Sequence, residues 1–132
     1  MREYYQRTYL PKAQLQPVSE PSHDATNNWG PKFWETLHII SFNYPDNPTI
    51  LQKEAAWNFF NSLSFLLPCP VCCGHCSNFI KENPPLVYNK QYLSKWVSEL
   101  HNDVNQRLGK RQWSFEEVKN KYDNLSNSCP LS

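Results

Sequence analysis

Four of the five cysteines in this chain, Cys69, Cys72, Cys73 and Cys76, fall within eight residues. Thiols this close cannot staple distant segments together, so the pattern is not the disulfide framework of a small secreted domain. It points to redox or metal chemistry, in which thiols act together. The centre of the cluster is Pro68-Cys69-Pro70-Val71-Cys72, flanked by Phe65, Leu66 and Leu67. A Cys-x-x-Cys pair closes a small disulfide ring or supplies half of a metal site. Pro70 suits the first position of a helix, where no amide donor is needed. Cys69 then sits at or near the N-cap and Cys72 in the first turn, where the helix dipole favours a thiolate. The residues alone leave two readings open, a redox dithiol and a zinc site.

Prolines and helical periodicity divide the rest of the chain. Residues 1–27 carry Pro11, Pro17 and Pro21 among polar residues, with Tyr4, Tyr5, Tyr9 and Leu10 as their apolar group. This is an arm without a core of its own. A first helix is expected from near Trp29 or Gly30, capped by Asn27 or Asn28, with Pro31 in its first turn. Phe33, Leu37 and Ile40 form one stripe on it, and Trp34, His38 and Ser41 a second. Taken alone, Trp34 and His38 read as core residues. Tyr44-Pro45-Asp46-Asn47-Pro48 breaks the helix. A second helix runs from Pro48 or Thr49 to Leu66 and is apolar on more than one face near its end, which predicts burial of that end.

Pro68 stops the second helix, and the thiol cluster opens a third that runs to about Glu82, before Pro84-Pro85. A fourth covers about Asn89 to Leu108. Its stripe is Tyr92, Leu93, Trp96, Val97, Leu100, His101, Val104, Asn105 and Leu108. His101 and Asn105 are polar groups on that apolar face, and a ligand could supply the partners they need. Gly109 suits a C-cap. Ser114 and Glu117 form a capping box for a short last helix ending near Tyr122 or Asn124. No segment alternates with period two. The expected fold is all-α, a four-helix bundle with a short fifth helix. It occupies residues 28–124, between the arm of residues 1–27 and a polar tail, 125–132, that holds Cys129.

The length of 132 residues allows one domain with a modest core. Three glycines, Gly30, Gly74 and Gly109, cannot build a Gly-rich phosphate loop, which argues against Rossmann and P-loop sites. A net charge of +1 without long runs of one sign argues against nucleic acid or an anionic membrane surface as partner. No stretch approaches the roughly 18–20 apolar residues of a membrane span. The first twenty residues show no apolar signal region, and Glu3 and Pro11 argue against a mitochondrial presequence despite Arg2 and Arg7. Five Trp, seven Tyr and seven Phe are enough to line a pocket for a planar ligand as well as fill a core.

Four motifs in one order then carry a resemblance. Trp29-Gly30-Pro31-Lys32-Phe33-Trp34-Glu35-Thr36-Leu37-His38 resembles the W-G-x-x-x-W-x-x-L-H opening of the Erv/ALR sulfhydryl oxidases. Tyr44-Pro45-Asp46-Asn47-Pro48 is similar to their Y-P-x-x-P turn. Pro68-Cys69-Pro70-Val71-Cys72 resembles their P-C-x-x-C redox centre, with His75 where many members have histidine. His101 to Lys110 matches H-N-x-V-N-x-x-L-G-K. The resemblance implies FAD held at the mouth of the bundle, usually in a homodimer. It implies oxidation of protein thiols to disulfides, with O2 reduced to H2O2. Cys69 would exchange with substrate thiols and Cys72 would lie beside the flavin.

The cofactor contacts that the resemblance implies are Gly30, Lys32, Trp34, His38, Tyr44, His101, Asn102, Val104, Asn105, Leu108, Lys110, Trp113 and Tyr122. Among these, Trp34 would stack on a flat ring, His38 would hydrogen-bond the cofactor, and Lys110 would meet pyrophosphate charge. Trp113 and Tyr122 would lie near the adenine. No metal is implied.

The chain also departs from the family pattern. Many cellular members have a second, shuttle dithiol on a flexible arm, whereas residues 1–27 contain no cysteine and the tail has Cys129 alone. Substrates would reach Cys69 directly, Cys129 would bridge subunits, or a thioredoxin-like dithiol protein would relay electrons. This layout is similar to the short members from large DNA viruses, which implies action in host cytoplasm and storage in virions. A mitochondrial intermembrane-space member is the alternative. Cys73 and Cys76 are additions to the motif. Cys76 reads as a small core residue, with a second redox pair as the sharper alternative. The competing function is a zinc-binding interaction module using Cys69, Cys72, His75 and Cys76. Its weakness is that all four lie on one expected helix.

Overall fold

The computed structural model describes residues 28–123 and Leu125. The expected arm at residues 1–27 and Cys129 lie outside the described residues. Within them the chain forms five α-helices and no strand: α1 Gly30–Phe42, α2 Ile50–Leu66, α3 Pro70–Glu82, α4 Lys90–Arg107 and α5 Phe115–Tyr122. The expected helical fold is observed, with every boundary near a proline or a cap.

Local chemistry sets those boundaries. Thr49 and Gln52 close a capping box at the start of α2, and Ser114 and Glu117 close the expected one at α5. Asn89 caps α4 by accepting from the Tyr92 amide. Gly109 ends α4 with φ +68, a conformation that favours glycine. Around it the Gly109 amide donates to Gln106 O and the Lys110 amide to Asn105 O, the paired bonds of a Schellman stop. At α1 the expectation differs. Trp29, not Asn27 or Asn28, takes the N-cap position, and no side chain caps it. Pro31 lies in the first turn and itself removes one of the amides that a cap would satisfy.

α2 packs along α3 and α1 along α4, contacts between α3 and α4 join the two pairs, and α5 rests on α1 and α4. The main core gathers Leu37, Phe60, Leu63, Ile80, Leu93, Trp96, Val97 and Leu100. Trp96 is 1% exposed, meets Phe60 edge to face at 5.4 Å, and donates its indole N–H to Asn83 O at 2.9 Å. Truncating an aromatic at such a site typically costs about 3–5 kcal/mol. A smaller cluster of Phe42, Val118 and Tyr122 seats α5.

Two faces depart from the periodicity. Ser94 and Ser98 on α4 are buried, their hydroxyls donating to Gln91 O and Ser94 O. A count of apolar positions passes over such self-satisfied serines. The C-terminal end of α2 is not buried as its apolar content suggested: Phe65 is 55% and Leu66 75% exposed. Only a narrow arc of α2, with Phe60, Leu63 and Ser64, faces the core of this single chain. No helix among the described residues is long and apolar enough to cross a membrane.

Candidate functional site

A cavity of about 540 Å³ opens where the five helices meet, within the range of small-molecule sites. α1 gives it Trp34 and Leu37, α2 Leu63, α3 Val71, Cys72, His75 and Cys76, and α5 Lys121 and Tyr122. From α4 and its stop come Leu100, His101, Val104, Asn105, Leu108 and Lys110. Gly30 stands at the rim, at the first position of α1.

One wall is a stack of aromatic rings. Trp34 lies parallel to His101, with ring centroids 4.1 Å apart and 6° between planes. Tyr122 stacks on His38 at 4.7 Å. The two imidazoles meet through His38 Nε2 and His101 Nδ1 at 2.8 Å. Burial, with His101 beside it and the charge of Lys121, holds His38 down to about 3. Burial, with Lys110 and Lys121, holds His101 down to about 4. Both rings are therefore neutral at ordinary pH, so one donates to the other. Either way His38 Nδ1 is left buried without a hydrogen-bond partner. A flat aromatic wall, an orphaned ring nitrogen behind it, buried Asn105 and the cations Lys110 and Lys121 suit a planar ligand that carries phosphate. These residues fit FAD.

Two of the thiols, Cys72 and Cys76, also line the cavity. Cys69 is the N-cap of α3, its sulfur accepting from the Cys72 amide at 3.2 Å. Cys72, in the first turn, lines the cavity. Its placement agrees with expectation, but its electrostatics do not. Burial, reinforced by the hydrogen bond and charge of Cys69, pushes the Cys72 thiol up to about 12, against a smaller opposing pull from Arg107. Desolvation is the largest of these causes. Cys69 is 6% exposed and stands outside the cavity wall, so exchange with a protein thiol needs the turn before α3 to yield. Cys76 is buried in the main core, as a small core residue would be, and burial pushes it up to about 11.

Other expected site residues stand behind or beside the cavity. His38 backs His101. Tyr44 is buried and donates its hydroxyl to Val87 O at 2.8 Å, fastening the turn after α1. Asn102 makes two bonds to Trp113: its amide donates to the Trp113 carbonyl at 2.7 Å, and its carbonyl accepts the Trp113 amide at 2.9 Å. That clamp sets the entry to α5, and so the position of Lys121 and Tyr122. The Trp113 ring packs under Arg111 at 4.4 Å. Lys32 is exposed on α1. Periodicity and motif matching missed Arg107 and Lys121, both in the cavity wall. Their signal was available. Arg107 follows Val104 by three residues on α4, and Lys121 adjoins Tyr122 on α5.

The zinc reading gains no support: among the described residues no three His, Cys, Asp or Glu side chains group so as to hold a metal. α3 stays wound from Pro70 onward, and its side chains fan around the axis.

A family model described as the Erv1 / Alr family matches residues 31–123. The chain is 35% identical over 96 residues to an African swine fever virus (isolate Tick/Malawi/Lil 20-1/1983) protein named FAD-linked sulfhydryl oxidase, covering 73% of this chain and 81% of that one. It is 37% identical over 81 residues to the mitochondrial FAD-linked sulfhydryl oxidase ERV1 of Saccharomyces cerevisiae, covering 61% and 43%. The fold matches the crystal structure of the FAD binding domain of Erv1 from Saccharomyces cerevisiae with a TM-score of 0.72 at 30% identity, covering 76% of this chain and 95% of that one. Matched from Pro31 in α1 to Asp123 just past α5, the chain belongs to the Erv1 / Alr family.

Proposed function

We propose that the chain is an FAD-dependent thiol oxidase that forms disulfides in protein substrates and reduces O2 to H2O2 through Cys69 and Cys72. The observation that carries this reading is that Cys72 lines the same cavity as the stacked Trp34 and His101. Bound FAD would supply the two-electron chemistry, accepting the dithiol's electrons and passing them to oxygen.

The chain's own residues do the rest. A substrate thiolate attacks Cys69 of the Cys69–Cys72 disulfide, and Cys72 leaves. The second substrate thiol attacks the mixed disulfide and releases Cys69, leaving the substrate oxidised. Burial pushes the Cys72 thiol up, which slows its departure as a leaving group and favours its return to a disulfide over persistence as a lone thiolate. Trp34 and His101 present a flat face, His38 Nδ1 offers a buried polar contact, and Lys110 and Lys121 meet phosphate charge. Gly30, Val104, Asn105, Leu108 and Tyr122 shape the walls. Tyr44, Asn102 and Trp113 support them from outside, and Lys32 stands exposed on α1.

Two finer readings belong here. The exposed apolar residues of α2, Ile50, Leu51, Trp57, Phe59, Phe65 and Leu66, support a homodimer in which a second copy covers them. The match to the viral protein over most of that protein's length supports action in host cytoplasm and storage in virions, over a mitochondrial intermembrane-space role. Substrates are protein dithiols or a thioredoxin-like relay protein.

The test is colour. Purified protein should be yellow, with about one FAD per chain by absorbance, and should consume oxygen with dithiothreitol. A colourless protein with stoichiometric zinc would overturn the reading.

A further inference from the structure

Cys73 stands beside the redox pair without belonging to it. It is the fourth residue after Cys69, and its amide donates to the Cys69 carbonyl at 2.9 Å. Side chains on a helix lean toward its N-terminus, over the residue one turn back. Here the Cys73 thiol donates to Leu67 O at 3.3 Å, which places its sulfur over the turn that carries Cys69. Residues four apart on a helix lie about 6 Å apart along the axis, inside the Cα range of a disulfide, and closure also requires the Cβ atoms to come within about 4.5 Å. Cys69 is not held in the helix proper: its φ of −131° and ψ of 116° leave its sulfur at the open end of α3. Burial pushes the Cys73 thiol up as it does the Cys72 thiol, and the nearness of Cys69 adds to the rise in both. Cys69 thus has two thiol neighbours one turn into α3, and they face differently. Cys72 lines the cavity, whereas Cys73 is half-buried outside it.

We propose that Cys73 is a resolving thiol for Cys69, one that clears a substrate trapped there as a mixed disulfide. The idea rests on Cys69 as the exchanging sulfur. Once Cys72 has been displaced to the cavity side, Cys73 is the other thiol one turn from Cys69. Its thiolate bonds to the Cys69 sulfur, the bond from Cys69 to the substrate sulfur breaks, and the substrate leaves as a thiolate that takes up the proton Cys73 released. Cys72 then attacks Cys69 in the same way, which gives the Cys69–Cys72 disulfide and returns Cys73 to a thiol. Each step is an exchange, so no outside oxidant is consumed. The substrates this rescues are those with one thiol, such as glutathione, which cannot complete their own release by forming an internal disulfide.

The test uses the full-length, FAD-loaded protein carrying Cys72→Ser, reduced and then exposed to oxidised glutathione. Flavin absorbance confirms that each variant is folded, and acid-quenched peptide mapping reads the disulfides. The expected result is a Cys69–Cys73 disulfide with no glutathione retained on Cys69. With Cys72→Ser and Cys73→Ser combined, glutathione should stay on Cys69. If glutathione stays on Cys69 while Cys73 is present, or Cys69 links to Cys76 or Cys129 instead, the resolving role is wrong although Cys69 exchanges. If Cys69 carries neither glutathione nor a disulfide in either variant, the exchange role of Cys69 falls, and Cys73's role with it.

Discussion

His38 Nε2 and His101 Nδ1 stand 2.8 Å apart, joining α1 to α4 through two imidazoles between the rings of Trp34 and Tyr122. Buried, neutral imidazoles have a consequence for acid stability. The folded values of about 3 and about 4 lie below the ordinary 6.5, so the unfolded chain takes up protons first as pH falls. The stability is fully present above about pH 6.5 and is lost toward pH 4. Each ring contributes a slope of up to about 1.4 kcal/mol per pH unit. Urea midpoints should therefore drop between pH 6.5 and 5, before most carboxylates titrate, and His101→Asn should flatten that drop. A wild-type midpoint constant across this window would show that the rings are not held neutral.

Cys72 is the thiol in the cavity wall. Cys72→Ser should reduce oxygen uptake with dithiothreitol to background while FAD stays bound, since Trp34, His101 and Lys110 are untouched. Turnover surviving this change would mean that another sulfur faces the flavin.

Ser114 accepts from the Glu117 amide and Glu117 returns the bond. Ser114→Ala should lower stability by about 1 kcal/mol, read as a shift in urea midpoint. It should also speed FAD loss, because Lys121 and Tyr122 reach the cavity from α5. Equal midpoints and equal dissociation rates would remove the cap from this account.

Leu51 is 75% exposed on α2. Leu51→Glu should convert a dimer into a species of one chain mass, 15.6 kDa, in sedimentation experiments. A wild-type protein that already sediments as one chain would exclude the homodimer.

What the sequence revealed followed from how local each signal was. Pro31, Pro70, Gly109 and the Ser114–Glu117 box act within a turn or two, and their helices begin and end where these residues require. Cys72 and the aromatic wall were legible because the motifs fixed their spacing. Less legible was whatever depends on three-dimensional surroundings. The charge state of Cys72 is set by burial, which spacing does not report. The exposure of Phe65 and Leu66 depends on which neighbour covers α2. Arg107 and Lys121 look like solvated charges until the helices converge.

The cavity where the five helices converge bears on the life of the chain before any chemistry begins. A bundle whose helices converge on a ligand-sized cavity is coupled in stability to the ligand that the cavity fits. Whatever occupies that space stabilises the folded state by mass action. Its persistence in a cell would then track the supply of the filler as much as the amount of chain made.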